Sequence, residues 1–156
     1  MSRNRLRVLV AQHTNVWPIQ EDRLREALLR IASDYEYQAG EISLVVVDDQ
    51  EIRSLNARHL NHDWETDVIS FLFESNDRLE GEIIVSAETA HRESSEQPWT
   101  GDDELLLYAI HGMLHLMGLE DLDPESAAEM RQEERHYLAL FGVDGAEGHG
   151  FEFEPH

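Results

Sequence analysis

Two histidines, His111 and His115, lie four residues apart in an apolar stretch whose pattern is typical of a helix. On an α-helix this spacing returns to nearly the same face with a rise of roughly 6 Å, so both imidazole rings can reach one ion. Pairs of this kind also occur by chance on helix surfaces. Here, however, residues 105–117 are apolar nearly all round, and a buried imidazole ring needs a polar partner. The pattern therefore indicates a metal site.

A third ligand is expected in the turn that follows this helix. Gly118 is typical of a helix end, and the chain then carries three acidic side chains, Glu120, Asp121 and Asp123. Any of the three can supply a carboxylate oxygen. Because the sequence contains no cysteine, a zinc ion would have to be bound by histidine and carboxylate.

The residue after the first histidine limits the chemistry of such a site. In H-E-x-x-H metalloproteases a glutamate at that position acts as the general base, but here the residue is Gly112. Glycine cannot take a proton, so protease activity is disfavoured. Proton transfer at a hydrolytic metal would need help from an outer group such as Glu120, Asp123 or a substrate phosphate.

The net charge limits how the chain can meet a nucleic acid. There are 33 acidic residues against 12 basic ones, which gives a formal net charge of −21. Such a chain repels nucleic acid at long range. Residues 1–30 nevertheless hold six arginines and three acidic residues, which is compatible with one basic patch. The candidate arginines near the metal site are Arg58 and, if the first strand lies beside the site, Arg3, Arg5 and Arg7.

The elements expected around the metal-site helix alternate between strands and helices at first. Hydrophobic periodicity and turn residues predict strands at 6–11, 41–48, 67–73 and 81–86, and helices at 19–33, 48–59, 86–95, 102–117 and 124–140. The last two strands are joined by a turn-like segment and should form a hairpin. This order predicts an α/β fold in which a mixed four-stranded sheet packs with about five helices.

The chain length of 156 residues fits one domain. We expect a single α/β metal-binding domain over residues 1–142, followed by a glycine-rich acidic tail over 143–156 that is disordered. No stretch is long and apolar enough to cross a membrane and no signal peptide is recognisable, which predicts a cytoplasmic protein without a membrane partner. No glycine-rich nucleotide-binding motif is present, so no nucleotide cofactor is expected.

Four segments of the sequence resemble the YbeY family, bacterial rRNA maturation factors described as metal-dependent endoribonucleases. HGMLHLMGLED at 111–121 resembles the metal motif of the family. LNARHLNHDWETDVISF, GEIIVSAETA and PESAAEMRQEE resemble its L-N segment, its following strand and its acidic closing helix. The match covers roughly residues 40 to 141 and is specific in order as well as content.

The resemblance implies one zinc ion per chain with His111, His115 and Asp121 as metal ligands and catalytic residues. The family has a third histidine where this chain has Asp121, and a carboxylate is a competent zinc ligand. The family also has an arginine where this chain has Leu60. The substrate-binding candidates implied around that position and along the next strand are Arg58, His59, Thr66 and Ser70.

The activity implied by the resemblance is zinc-dependent cleavage of single-stranded RNA in rRNA maturation and ribosome quality control, with RNA and the small ribosomal subunit as partners. Two other functions fit the same residues. One is a non-catalytic RNA-binding protein of ribosome assembly with a structural metal, and the other is a metal hydrolase of small or peptide substrates.

Overall fold

The structure is a computed structural model that describes residues 5–14, 18–60, 67–146 and 149, without the side chains at 59 and 60. This part of the chain contains four strands and five α-helices. The strands are β1 (Leu6–Gln12), β2 (Gly40–Val47), β3 (Val68–Ser75) and β4 (Leu79–Ser86), and the helices are α1 (Glu21–Asp34), α2 (Asp49–Leu60), α3 (Ala87–Glu93), α4 (Gly101–Leu116) and α5 (Pro124–Leu140). The predicted fold class, a mixed four-stranded sheet with five helices, is confirmed.

The strands form one sheet in the order β1-β2-β4-β3. β1 and β2 are parallel, β2 and β4 are parallel, and β3 runs antiparallel to β4 as the predicted hairpin. The hairpin places β3 at one edge of the sheet and leaves β1 at the other.

The two faces of the sheet are covered by different helices, because successive side chains along a strand point to opposite faces. Ile42 and Leu44 of β2 lie in the large core with side chains of α1 and α4. On the other face, Val47 and Ile84 form a smaller cluster with Ile52 of α2. α2 and α4 therefore lie on opposite sides of the sheet.

α4 is the central helix of the large core. It begins at Thr100, whose hydroxyl accepts the Asp103 N–H while the Asp103 carboxylate accepts the Thr100 N–H. This capping box satisfies two backbone donors that a helix start leaves unpaired. The helix then packs against β3 and β4 on one side and against α1 and α5 on the other, which explains why its sequence is apolar nearly all round.

The packed part of the chain extends beyond the predicted boundary at residue 142. Val143 and Ala146 are buried in the large core, and His149 contacts α5. The expectation of a disordered tail from residue 143 is therefore wrong for these residues, because two apolar side chains pack into the core and His149 binds Glu134. None of the helices in the described ranges is long and apolar enough to cross a membrane.

Candidate metal site

The structure brings His111, His115 and Asp121 together at the end of α4. One possible ligand atom from each lies within 4.8 Å of the others. The two histidine Nε2 atoms are 2.9 Å apart. Asp121 Oδ2 is 3.9 Å from His111 Nε2, and Asp121 Oδ1 is 4.0 Å from His115 Nε2. Within the described residues this is the one group of three or more such side chains with that spacing.

The turn after α4 positions the carboxylate. Gly118 has a φ of +102°, a left-handed conformation that favours glycine. Its N–H bonds to the His115 carbonyl and the Leu119 N–H bonds to the Leu114 carbonyl, each at 3.0 Å, which is the Schellman arrangement. The reversal returns the chain toward α4, with Asp121 beside both histidines. The Leu119 carbonyl also accepts a hydrogen bond from His115 Nδ1 at 2.9 Å.

The Nδ1 atom of His111 forms a hydrogen bond with a side chain of α5. His111 Nδ1 lies 2.6 Å from an oxygen of Glu134, whose side chain has no solvent exposure. With Nδ1–H of both rings donated to oxygen acceptors, Nε2 of each ring is the nitrogen left to bind an ion. Acceptors of this kind fix the tautomer and orientation of metal-binding histidines.

Glu134 has further partners that surround it with positive or polar groups. Arg131 donates to Glu134 from one nitrogen and to Asp121 Oδ2 from another, the latter at 3.2 Å. His149 Nε2 lies 2.6 Å from Glu134 Oε1, and Arg135 donates to the His149 carbonyl at 2.6 Å. The buried carboxylate is therefore paired on both oxygens, as a buried charge must be.

The protonation of this cluster follows from those contacts. Burial alone would raise the pKa of Glu134, but the hydrogen bonds from His111 and His149 hold it well below its usual value. Burial opposes protonation of His111, yet its hydrogen bond to Glu134 and the charge of that carboxylate raise its pKa overall. Burial and the neighbouring His111 lower the pKa of His115. In the metal-free cluster these contacts favour the protonated form of His111 and the neutral form of His115, so a metal ion would compete with a proton mainly at His111.

The other two acidic candidates in the turn have different roles or positions. Asp123 is the N-cap of α5 and accepts the Ser126 N–H at 2.8 Å. Glu120 is exposed and lines a cleft with Gly118, and it is not a member of the group formed by His111, His115 and Asp121. Of the three alternatives left open by the sequence, Asp121 is the one that the structure places with the histidines.

Gly112 allows α4 to lie directly on the sheet. A Cβ atom at this position would lie 2.7 Å from Ile83 Cγ2, 2.9 Å from Ser70 Oγ and 3.1 Å from Val68 Cγ2. These separations are below van der Waals contact, and the Ile83 methyl is attached to a stiff branched carbon. No larger side chain, glutamate included, fits here without moving the helix. The packing therefore explains why a metalloprotease type of base is absent.

Of the four predicted substrate-binding residues, the structure describes the side chains of Arg58 and Ser70, and it does not bring these two together. The Ser70 hydroxyl lies beside the site but donates to the Gly112 carbonyl at 3.2 Å, so it anchors β3 to α4. Arg58 is exposed on α2, across the sheet from α4. Thr66 and the side chain of His59 lie outside the described residues.

The first strand, which carries Arg7 and directly follows Arg5, does not lie beside the candidate metal site. β1 is the edge strand opposite β3, whereas α4 packs on β3 and β4. Arg7 forms an exposed ion pair with Glu41 at 3.4 Å, Arg5 is exposed, and Arg3 lies outside the described residues. The condition that the first strand lies beside the site is therefore not met, because β2 lies between β1 and the strands on which α4 packs.

Sequence reasoning missed the residues that support the ligands, namely Glu134, Arg131 and His149. The sequence did contain one signal for Glu134. The buried positions of α5 recur at helical spacing, and they are Ala127, Met130, Glu134, Tyr137 and Leu138. A glutamate on an otherwise apolar stripe is rare without a partner, so it should have been matched with a buried histidine.

Comparison with known proteins adds independent information. Residues 10–142 match the family described as endoribonuclease YbeY. Endoribonuclease YbeY of Chloroherpeton thalassium is 40% identical over 127 residues, which cover 81% of this chain and 90% of that protein. The protein of the same name from Bacteroides thetaiotaomicron is 33% identical, covering 78% and 89%. The solution structure of TM1509 from Thermotoga maritima has the same fold, with a TM-score of 0.63 at 24% identity, covering 90% of this chain and 95% of that one.

Proposed function

The chain belongs to the endoribonuclease YbeY family, and on this premise we propose that it is a zinc-dependent enzyme that cleaves single-stranded RNA. Family membership supports the reaction class, hydrolysis within an RNA chain, because the relatives are named endoribonucleases. The zinc ion and the roles of individual side chains are added by the proposal.

One observation carries the metal assignment, the spacing of the three ligand atoms. Two ligands that each lie roughly 2.0 to 2.2 Å from one ion can be at most about 4.4 Å apart. The two Nε2 atoms of His111 and His115 are 2.9 Å apart, and they lie 3.9 and 4.0 Å from the two different oxygens of Asp121. One ligand atom from each of the three residues lies within 4.8 Å of the others, which is close to that limit. A zinc ion bound there would supply a Lewis acid that polarises a phosphoryl oxygen and lowers the pKa of water.

The side chains around the ligands have separate tasks in this proposal. Glu134 and the Leu119 carbonyl keep the Nδ1 proton of each histidine in place, so that Nε2 remains the binding atom. Three protein ligands leave a position open for substrate. Because Gly112 has no side chain and Asp123 is engaged as a helix cap, the exposed Glu120 or a substrate phosphate is the candidate acceptor for a proton.

RNA is the substrate in this proposal, and its ribosomal setting is a further part of it. We place the enzyme in the cytoplasm, where it acts in rRNA maturation and ribosome quality control with the small ribosomal subunit as its partner. A net charge of −21 gives little general attraction for RNA. Recognition then depends on the metal centre and on local cations rather than on the whole surface.

The test combines metal analysis of the purified chain with cleavage of single-stranded RNA. His115→Ala removes a ligand, and His136→Ala is a matched control because His136 is exposed on α5 outside the ligand group. We expect about one zinc ion per chain and metal-dependent cleavage in the wild type and the control, and loss of both in His115→Ala.

The two alternative functions give different results in the same experiment. RNA binding without cleavage under any metal would indicate a non-catalytic protein with a structural metal. Hydrolysis of model peptides or esters without RNA cleavage would indicate a small-substrate hydrolase, which the absence of a base at Gly112 disfavours. Either result would overturn the proposed function.

A further inference from the structure

Arg131 joins the third ligand to the residue that supports the first. On α5, one guanidinium nitrogen donates to Glu134, and another donates to Asp121 Oδ2 at 3.2 Å. Glu134 in turn accepts from His111. The chain of contacts therefore runs from His111 through Glu134 and Arg131 to Asp121.

The guanidinium is well placed to orient the carboxylate. Its donors have a fixed planar spacing, so binding two carboxylates at once defines where both must lie. The side chains of Arg131 and Asp121 are 17% and 14% exposed, and solvent screens such a pair less than an exposed one. This contact ties Asp121, which lies in the turn between α4 and α5, directly to α5.

The same contact balances charge. Asp121 and Glu134 each carry one negative charge, and Arg131 supplies one positive charge to both. A histidine at position 121 would be neutral, so the guanidinium would have no ligand charge to offset there. Its positive charge would then mainly oppose the approach of a cation.

We propose that Arg131 is a positioning residue that holds Asp121 as a metal ligand and offsets its negative charge. The inference rests on the proposed function, since it assumes that the site binds zinc. Its consequence is that the identity of residue 121 decides whether Arg131 helps or opposes metal binding.

The test measures zinc affinity by competition with a chromophoric chelator in four proteins: the wild type, Arg131→Gln, Asp121→His and the double variant. With the native Asp121 we expect Arg131→Gln to weaken zinc binding about tenfold, the lower end of the effect of outer partners of metal ligands. In the Asp121→His background we expect no weakening. Arg131→Gln also removes a partner of Glu134. Because Glu134 is present in both backgrounds, this effect cancels when the two losses of zinc affinity are compared.

One further measurement and one alternative variant keep the result interpretable. Cobalt(II) loaded into the protein with the native Asp121 should show a shifted visible spectrum in Arg131→Gln but not in Arg78→Gln, a control that removes an exposed arginine paired with Glu80 at 3.0 Å. If Arg131→Gln does not fold, Arg131→Lys replaces it, because one ammonium group lacks the planar fork that spans both carboxylates.

Failure of the inference can be separated from failure of the proposed function. An equal loss of zinc affinity in both backgrounds, or an unchanged cobalt spectrum, would overturn the role of Arg131 while leaving the metal site in place. No zinc or cobalt binding by the wild type would overturn the metal site itself.

Discussion

Two carboxylates of this fold, Asp49 and Asp121, are each bound by an arginine, yet their surroundings differ. Asp49, at the start of α2, accepts from Ser86 Oγ at 2.5 Å, from Thr89 Oγ1 at 2.6 Å and from Arg92 at 3.0 Å. Asp121 accepts from Arg131, and its other close neighbours are two histidine nitrogens at 3.9 and 4.0 Å.

The difference distinguishes a structural cluster at Asp49 from a candidate metal site at Asp121. The donors around Asp49 come from the carboxyl end of β4 and from α3, and they use the capacity of the carboxylate within the protein. The nitrogens near Asp121 are too far away for hydrogen bonds but within the range of ligands that share one ion. A carboxylate with saturated contacts stabilises the fold, whereas one with unused capacity beside imidazoles is available for a metal.

The largest effect should come from removing the third ligand. Asp121→Ala is expected to lower zinc affinity by more than the roughly 100-fold that changes to outer partners can reach, whereas Asp121→His should retain the metal. Competition titration with a chelator measures both. Glu120→Ala and Asp123→Ala serve as controls and should bind zinc as the wild type does. Wild-type affinity in Asp121→Ala would show that the ligand assignment is wrong.

Gly112→Ala should cause the next largest effect, on stability. The added methyl would lie 2.7 Å from Ile83 Cγ2, and overpacking of this kind costs about 1 to 3 kcal/mol in the free energy of unfolding. That cost exceeds the gain of up to about 1 kcal/mol from a better helix former. Urea unfolding measures it. In an Ile83→Ala background the same substitution should cost less; an equal cost would locate the strain elsewhere.

Asp49→Asn should reduce stability without changing zinc affinity, because it weakens the contacts of Ser86, Thr89 and Arg92. Burial alone would raise the pKa of Asp49, but those hydrogen bonds and the Arg92 charge lower it overall. The charged carboxylate therefore stabilises the fold above the pKa of the unfolded state, about 3.9, and this contribution is lost as pH falls through the lower folded value.

The measurement for Asp49→Asn is the free energy of unfolding at neutral pH and at acidic pH. The difference from the wild type should be largest near pH 7 and should shrink as pH falls below about 3.9. A difference that does not depend on pH would show that the charge of Asp49 contributes nothing. Altered zinc affinity would contradict the separation of the two clusters.

The smallest effect is expected at Asp123, which caps α5. Asp123→Ala removes the acceptor of the Ser126 N–H and should cost about 1 kcal/mol in the free energy of unfolding. Thermal unfolding with Asp123→Ser as the matched variant tests this, because serine can also cap a helix. If the alanine variant loses zinc but not stability, Asp123 is a ligand rather than a cap.

The sequence predicts those features that depend on neighbouring residues. Pro124 and Leu140 bound the last helix as expected, and the spacing of His111 and His115 indicates a shared face. The order of the strands is not local, because β4 pairs with β2 although β3 precedes it in the chain. The same limit applies to Glu134, which lies 23 residues from His111. Only the packing of α5 on α4 brings the two together.

Gly118 divides the three candidate ligands between two segments of different stiffness. His111 and His115 belong to the buried α4, whose amide hydrogens should exchange with solvent only when the whole domain unfolds. Asp121 belongs to a short reversal at the surface, where local opening requires far less free energy. An ion should therefore enter and leave through movement of this reversal while the two imidazoles stay fixed. The residence time of the metal would then be set by the kinetics of the turn and not by the stability of the domain.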